Sequence, residues 1–171
     1  RANDKVHEVN GPNLASGFRM VATFTEGLDR NSTGVLAEQG DWNAGWAMYL
    51  ADGEIRWVMA GFGGPTEVAA TVPEGTHLLS VEGIASPDDL ELVLGADGVE
   101  IGRGALGRPV PLAWAPDGAF LTVGYARPFP VTERIDVGDE APGSFAGLSI
   151  RTGTPPPLDL DAEFERVMRH Q

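Results

Sequence analysis

The chain has 171 residues, 42% of them hydrophobic and 22% charged, which suits a single domain with a sizeable core. Twelve Lys+Arg against 25 Asp+Glu leave a formal net charge of −13, and so negative a protein repels nucleic acid and anionic membrane surfaces. There is no cysteine, which excludes disulfides, thiolate zinc sites and a cysteine nucleophile, and leaves the compartment unreadable from redox chemistry. No apolar run approaches the ~20 residues of a membrane-spanning helix. The chain opens at Arg1 without a Met, a basic leader or an apolar leader, so no signal peptide is expected within this sequence, which is expected to be a piece cut from something longer.

Residues 1–15 are polar and turn-rich, and read as a linker or an edge segment. From Phe18 the chain alternates, with Phe18, Met20, Ala22 and Phe24 on one face and Arg19, Val21 and Thr23 on the other, the pattern of a half-buried strand. Residues 34–39 read as a short strand, followed by a loop carrying Asp41, Trp42 and Asn43. Trp46, Met48 and Leu50 then alternate up to Asp52-Gly53, and Ile55, Trp57 and Met59 alternate after it. An Asp-Gly pair between two alternating runs predicts a tight hairpin, because both central residues tolerate positive φ. Further strands are expected over residues 66–72, 76–84, 90–94, 99–102, 118–125 and 144–152, with a second Asp-Gly turn at Asp97-Gly98.

That makes nine or ten strands with no long amphipathic helix between them. The expectation is an all-β, antiparallel two-sheet sandwich over residues 16–153. Its core should contain Phe18, Phe24, Trp46, Met48, Trp57, Leu79, Leu92, Leu121 and Phe145. Residues 154–171 form a Pro-rich spacer and a short C-terminal helix, whose acids come first and cations last, as the helix dipole favours. Leu160, Phe164, Val167 and Met168 make its apolar stripe.

Sites with chemistry are sparse. His7, His77 and His170 lie in unrelated segments, and His77, placed in the strand 76–84, reads as structural. Asp88, Asp89 and Glu91 come nearest to the paired carboxylates of a glycan hydrolase, but they open a strand after Ser86-Pro87, where a solvated turn is the simpler account. Asp136, Asp139 and Glu140, with Asp41 elsewhere, could offer oxygens to a structural calcium ion, although they lack the dense spacing of an EF-hand loop. Trp46 and Trp57 belong to the core pattern, whereas Trp42 and Trp114 fall in loops and could stack on a sugar or cover a partner domain. A lectin-like site would draw on Trp42, Asn43, Arg127 and Asp136, if their loops meet in space.

The run Gly45-Trp46-Ala47-Met48-Tyr49-Leu50-Ala51-Asp52-Gly53 resembles the Gly-Trp-x-x-Tyr-x-x-Asp-Gly stretch in the C-terminal domain of large bacterial arylsulfatases. Residues 34–40 resemble its preceding strand, Val72-Pro73-Glu74-Gly75-Thr76-His77 its Pro-x-Gly-x-His turn, and residues 120–125 and 144–150 its last strands. The chain departs at Val123-Gly124-Tyr125-Ala126-Arg127, where a tyrosine stands in place of the acid in the family's Gly-Arg-Asp-Thr-Gly-type turn. The resemblance implies a concanavalin A-like or laminin G-like jelly roll. It also implies that catalysis belongs to an upstream α/β domain, whose formylglycine motif and metal ligands this sequence lacks.

Two roles are therefore expected. The first is a non-catalytic accessory domain of an arylsulfatase-like protein, packing on the sulfatase domain or shaping access to its site. The second is a carbohydrate-binding, lectin-like module.

Overall fold

The computed structural model describes residues 5–6, 12–61, 63–111, 120–154, 157–162, 165 and 169. Its strands, in chain order, are β1 (Lys5–Val6), β2 (Phe18–Phe24), β3 (Gly34–Gly40), β4 (Gly45–Ala51), β5 (Glu54–Ala60) and β6 (Thr66–Thr71), then β7 (Leu78–Ala85), β8 (Leu90–Ala96), β9 (Val99–Ala105), β10 (Leu121–Val123) and β11 (Phe145–Thr152). They form two antiparallel sheets, a six-stranded one ordered β1-β10-β3-β4-β5-β6 and a five-stranded one ordered β11-β2-β7-β8-β9. β1 falls in the segment read as a linker or edge, and it pairs with β10 at the rim of the larger sheet.

The hairpins are set by local chemistry. β4 and β5 pair from Gly45↔Ala60 to Ala51↔Glu54, and the turn between them holds Asp52 at φ 55° and Gly53 at φ 74°. Asp97 and Gly98 repeat that geometry between β8 and β9, at φ 46° and 82°. Both positive angles match the type of turn whose twist suits adjoining strands.

Several expected boundaries shift: β10 ends at Val123 rather than at 125, β8 and β9 run on to Ala96 and Ala105, and β7 starts at Leu78. Residues 76 and 77 are not strand: the Thr76 hydroxyl donates to Pro73 O at 2.7 Å. The N–H groups of His77 and Leu78 both donate to the Asp97 carboxylate, at 3.1 and 2.9 Å. His77 is thus an exposed loop residue whose backbone is tied to a neighbouring turn, not a strand histidine.

All nine expected core residues are buried between the sheets. Phe18 stacks on Trp57 with ring centroids 5.5 Å apart, and Trp57 lies nearly parallel to Trp46 at 6.1 Å. Glycine makes this possible at one point: a Cβ on Gly83 would stand 2.2 Å from the Phe18 ring. Where the sheets converge, Gly102 and Gly104 of β9 face Ala70 and Val68 of β6, again with no room for a larger side chain.

The strands are buried more deeply than their alternation suggests. β2 is buried at all seven positions rather than on one face. It runs between β11 and β7, and its outward Arg19 pairs with Glu82, directly opposite it on β7, at 2.6 Å. The larger sheet has a second apolar layer outside it, in which Val35, Ala47, Tyr49, Val58 and Ala60 pack against Ala126, Val131 and Ile135. Residues 124–141 therefore lie as a strap across that outer face, and both sides of β4 and β5 are covered. At the C-terminus residues 160–162 are helical, and the Asp159 carboxylate caps the Ala162 N–H at 3.0 Å. Leu160 lies against Gly98, while the remaining stripe residues Phe164, Val167 and Met168 fall outside the described residues. Among the described residues no helix is long and apolar enough to cross a membrane.

Candidate functional site

The strap is fastened to β3 and closed on itself. Gly124 N–H donates to Leu36 O at 3.0 Å, Ala141 N–H to Gly124 O at 2.9 Å, and Ala126 N–H to Asp139 O at 2.7 Å. Gly34, at φ 131°, lets Glu140 approach so closely that a Cβ would fall 1.9 Å from its carbonyl oxygen. Midway sits Glu38, fully buried, whose carboxylate accepts the backbone N–H of Arg127 and that of Val131. Its other oxygen, Oε2, has no hydrogen-bond partner among the described residues. Burial outweighs the two amide donors and the Arg127 charge, and holds this carboxyl above the ordinary value of 4.5.

At the Gly40 end of β3 the structure gathers three of the expected site residues. The Asp41 carboxylate accepts the N–H groups of Asn43 at 2.7 Å and Ala44 at 3.3 Å, an Asx turn that thrusts out Trp42, 64% exposed. The Arg127 guanidinium reaches the same end, where Nη1 donates to Gly40 O at 2.5 Å and to Phe120 O at 3.2 Å. Phe120 and Phe129 stand exposed on either side of it in sequence, at 39% and 68%. These two phenylalanines and Glu38 were missed from sequence. Phe129 had a readable signal, since Pro128 and Pro130 bar it from a strand ladder. Trp114 lies outside the described residues.

The acids lie at the other end. Asp139 and Glu140 line a cleft of about 210 Å³ with Gly34, Tyr49, Asp52 and Arg134. The seven residues of β3 separate Gly34 from Gly40, roughly 20 Å at strand rise, so Asp139 and Glu140 do not join the Trp42 cluster. Asp136 and Asp139 close a turn on each other, with Asp136 N–H on the Asp139 carboxylate at 2.9 Å and Asp139 N–H on Asp136 O at 3.0 Å. Among the described residues no group of three His, Cys, Asp or Glu side chains is placed to hold a metal ion. Tyr49, in the cleft wall, donates its hydroxyl to Glu67, which also takes Arg56 at 2.5 Å. Burial first, and that hydrogen bond second, raise the phenol well above its usual value of 10. Of the Asp88–Glu91 acids, Asp89 accepts the N–H groups of Leu90 and Gly107, each at 2.8 Å, and Glu91 pairs with Arg103 at 2.6 Å.

Known structures share this architecture. The chain is similar to domains LG4–5 of the mouse laminin α1 chain, with TM-score 0.58 and 13% identity over 94% of this chain and 41% of that one. It is similar to the CBM40 module of the Ruminococcus gnavus IT-sialidase bound to α2,6-sialyllactose, with TM-score 0.54 and 11% identity over 98% of this chain and 96% of that one. A third likeness is to the NanB sialidase of Streptococcus pneumoniae, with TM-score 0.59 and 14% identity over 88% of this chain and 24% of that one. The domain is a jelly roll. At these identities the likeness is one of fold, and this jelly roll spans well under half of the laminin fragment and of NanB. No family model matches the chain, and no curated protein matches it in sequence.

Proposed function

We propose that this jelly roll is a non-catalytic accessory module of an arylsulfatase-type sulfuric ester hydrolase, acting through the surface around Trp42 and Arg127. One observation carries the reading: Trp42, Phe120 and Phe129 stand exposed near an Arg127 whose main chain and guanidinium are both tied down. Exposed aromatics contribute little to folding, whereas aromatics beside arginine dominate recognition surfaces. The partner is the sulfatase catalytic domain of the same or an associated chain, as the likeness of the Gly45–Gly53 run to that family suggests. The module packs on that domain or shapes access to its site. The test mixes this chain with a separately expressed sulfatase domain in analytical ultracentrifugation. Association is expected, and Trp42→Ala and Phe129→Ala should each weaken it by roughly tenfold or more. Absence of association would overturn the docking reading.

A carbohydrate-binding role is the second reading. It is favoured by an Arg127 guanidinium anchored on the carbonyl of Gly40, two residues before the exposed Trp42, and by the sialyllactose-bound module that matches nearly the full length of both chains. Saturable sugar binding that Trp42→Ala abolishes would select it.

A further inference from the structure

We infer that Arg127 and Trp42 form a site for an acidic sugar, whose carboxylate or sulfate group meets the guanidinium while its ring lies on the indole. This deepens the carbohydrate reading above and rests on it.

A guanidinium presents five N–H donors in a planar fork that matches an oxyanion with two parallel hydrogen bonds. In Arg127 only Nη1 is engaged, on the carbonyls of Gly40 and Phe120. Nε and Nη2 have no partner among the described residues, and together they are the edge that grips a carboxylate or a sulfate. Arg19, Arg56 and Arg103 end on carboxylates, whereas Arg108 donates to the carbonyl of Met59. Arg127 ends on carbonyls, so its charge is not neutralised at the guanidinium. Two acids of β3 and the turn after it make their hydrogen bonds to backbone N–H groups, although the Arg127 charge is felt by Glu38. Glu38 turns its carboxylate to the N–H groups of Arg127 and Val131, and Asp41 turns its own to the N–H groups of Asn43 and Ala44.

Trp42 supplies the second half of the site. It projects from a turn stiffened by Asp41, and a flat indole offers a large apolar face at small conformational cost. Asn43, exposed beside it, carries an amide that can donate to and accept from ring hydroxyls. The Arg127 guanidinium is held by two carbonyls and the backbone that carries Trp42 by its turn, which lowers the entropic cost of binding.

The test titrates the isotope-labelled chain with glucuronide, glucose sulfate and sialyllactose, against lactose and methyl glucoside as neutral controls. The Trp42 indole and Arg127 Nε–H resonances are followed. All three acidic sugars are expected to move both signals saturably, with affinity about tenfold above the neutral sugars. Arg127→Lys keeps the charge and a donor for Gly40 but loses the planar fork, and should erase that advantage. Equal binding of acidic and neutral sugars overturns this inference and leaves the carbohydrate reading standing. Acidic-sugar binding unchanged in Arg127→Lys overturns the site. No shift with any sugar, in a chain whose spectrum shows it folded, overturns both; the docking reading is then decided by its own association experiment.

Discussion

The backbone N–H of Arg127 donates to the carboxylate of Glu38, 89 residues away in sequence. That bond holds the strap on the larger sheet, and it fixes the residue whose guanidinium faces the Trp42 turn. It also keeps a carboxylate wholly out of water, which has a measurable consequence.

Glu38 holds its proton to a higher pH in the folded chain than in the unfolded one, because burial disfavours its charge. Its contribution to stability is therefore fully present below the unfolded value and is lost as pH rises through the folded one. Glu38→Gln mimics the protonated form. Its urea midpoint should gain on that of the wild type as pH is raised from about 5 to about 8, with the difference levelling once Glu38 is ionised. A difference that is flat with pH would refute this account. Glu38→Ala leaves the N–H groups of Arg127 and Val131 without their acceptor, and should cost about 1–3 kcal/mol.

Trp57 is the keystone of the aromatic stack, fully buried between Phe18 and Trp46. Trp57→Ala should cost roughly 3–5 kcal/mol in thermal or urea unfolding. Its indole N–H has no partner among the described residues, so Trp57→Phe, which removes that orphan donor and keeps a ring, should cost less than half as much. Equal losses in the two variants would show that the ring contributes little.

Gly83 exists for Phe18. Gly83→Ala places a methyl group inside the Phe18 ring, an overpacking worth about 1–3 kcal/mol. Combining it with Phe18→Leu should recover part of that loss, and a double-mutant cycle on urea midpoints should show a coupling of roughly 0.5–3 kcal/mol. Strict additivity would mean that the two sites do not touch.

Trp42→Ala should shift stability by no more than about 0.5 kcal/mol, because Trp42 is 64% exposed. A loss comparable to that of Trp57→Ala would assign Trp42 to the structure of the domain and remove it from the recognition surface.

The isolated chain should not turn over an aryl sulfate, with or without added calcium. Turnover that survives repurification and is unchanged across preparations would overturn the accessory role.

Much of the fold was legible because its signals are local. Period-two alternation marks Phe18, Trp46, Met48 and Trp57 as one-sided, and Asp52-Gly53 and Asp97-Gly98 tolerate the positive φ that a two-residue hairpin needs. Those properties belong to neighbouring residues, so the strands from β2 to β9 could be read in order and the nine core residues named. His77 was misplaced for the opposite reason: its backbone partners, the Asp97 carboxylate and the Phe24 N–H, lie 20 and 53 residues away.

Strand order, the strap and the site were decided only in three dimensions. Alternation says which side chains oppose the core, but not whether anything covers them, and the strap buries Tyr49, Val58 and Glu38 on the face that would otherwise meet water. It also sorts the candidate residues, bringing Arg127 to Gly40, just before Trp42 and Asn43, while leaving Asp139 and Glu140 at the far end of β3. Such meetings depend on contacts between segments tens of residues apart, whose energies come from packing and hydrogen bonding across the sheet. No window of sequence contains them.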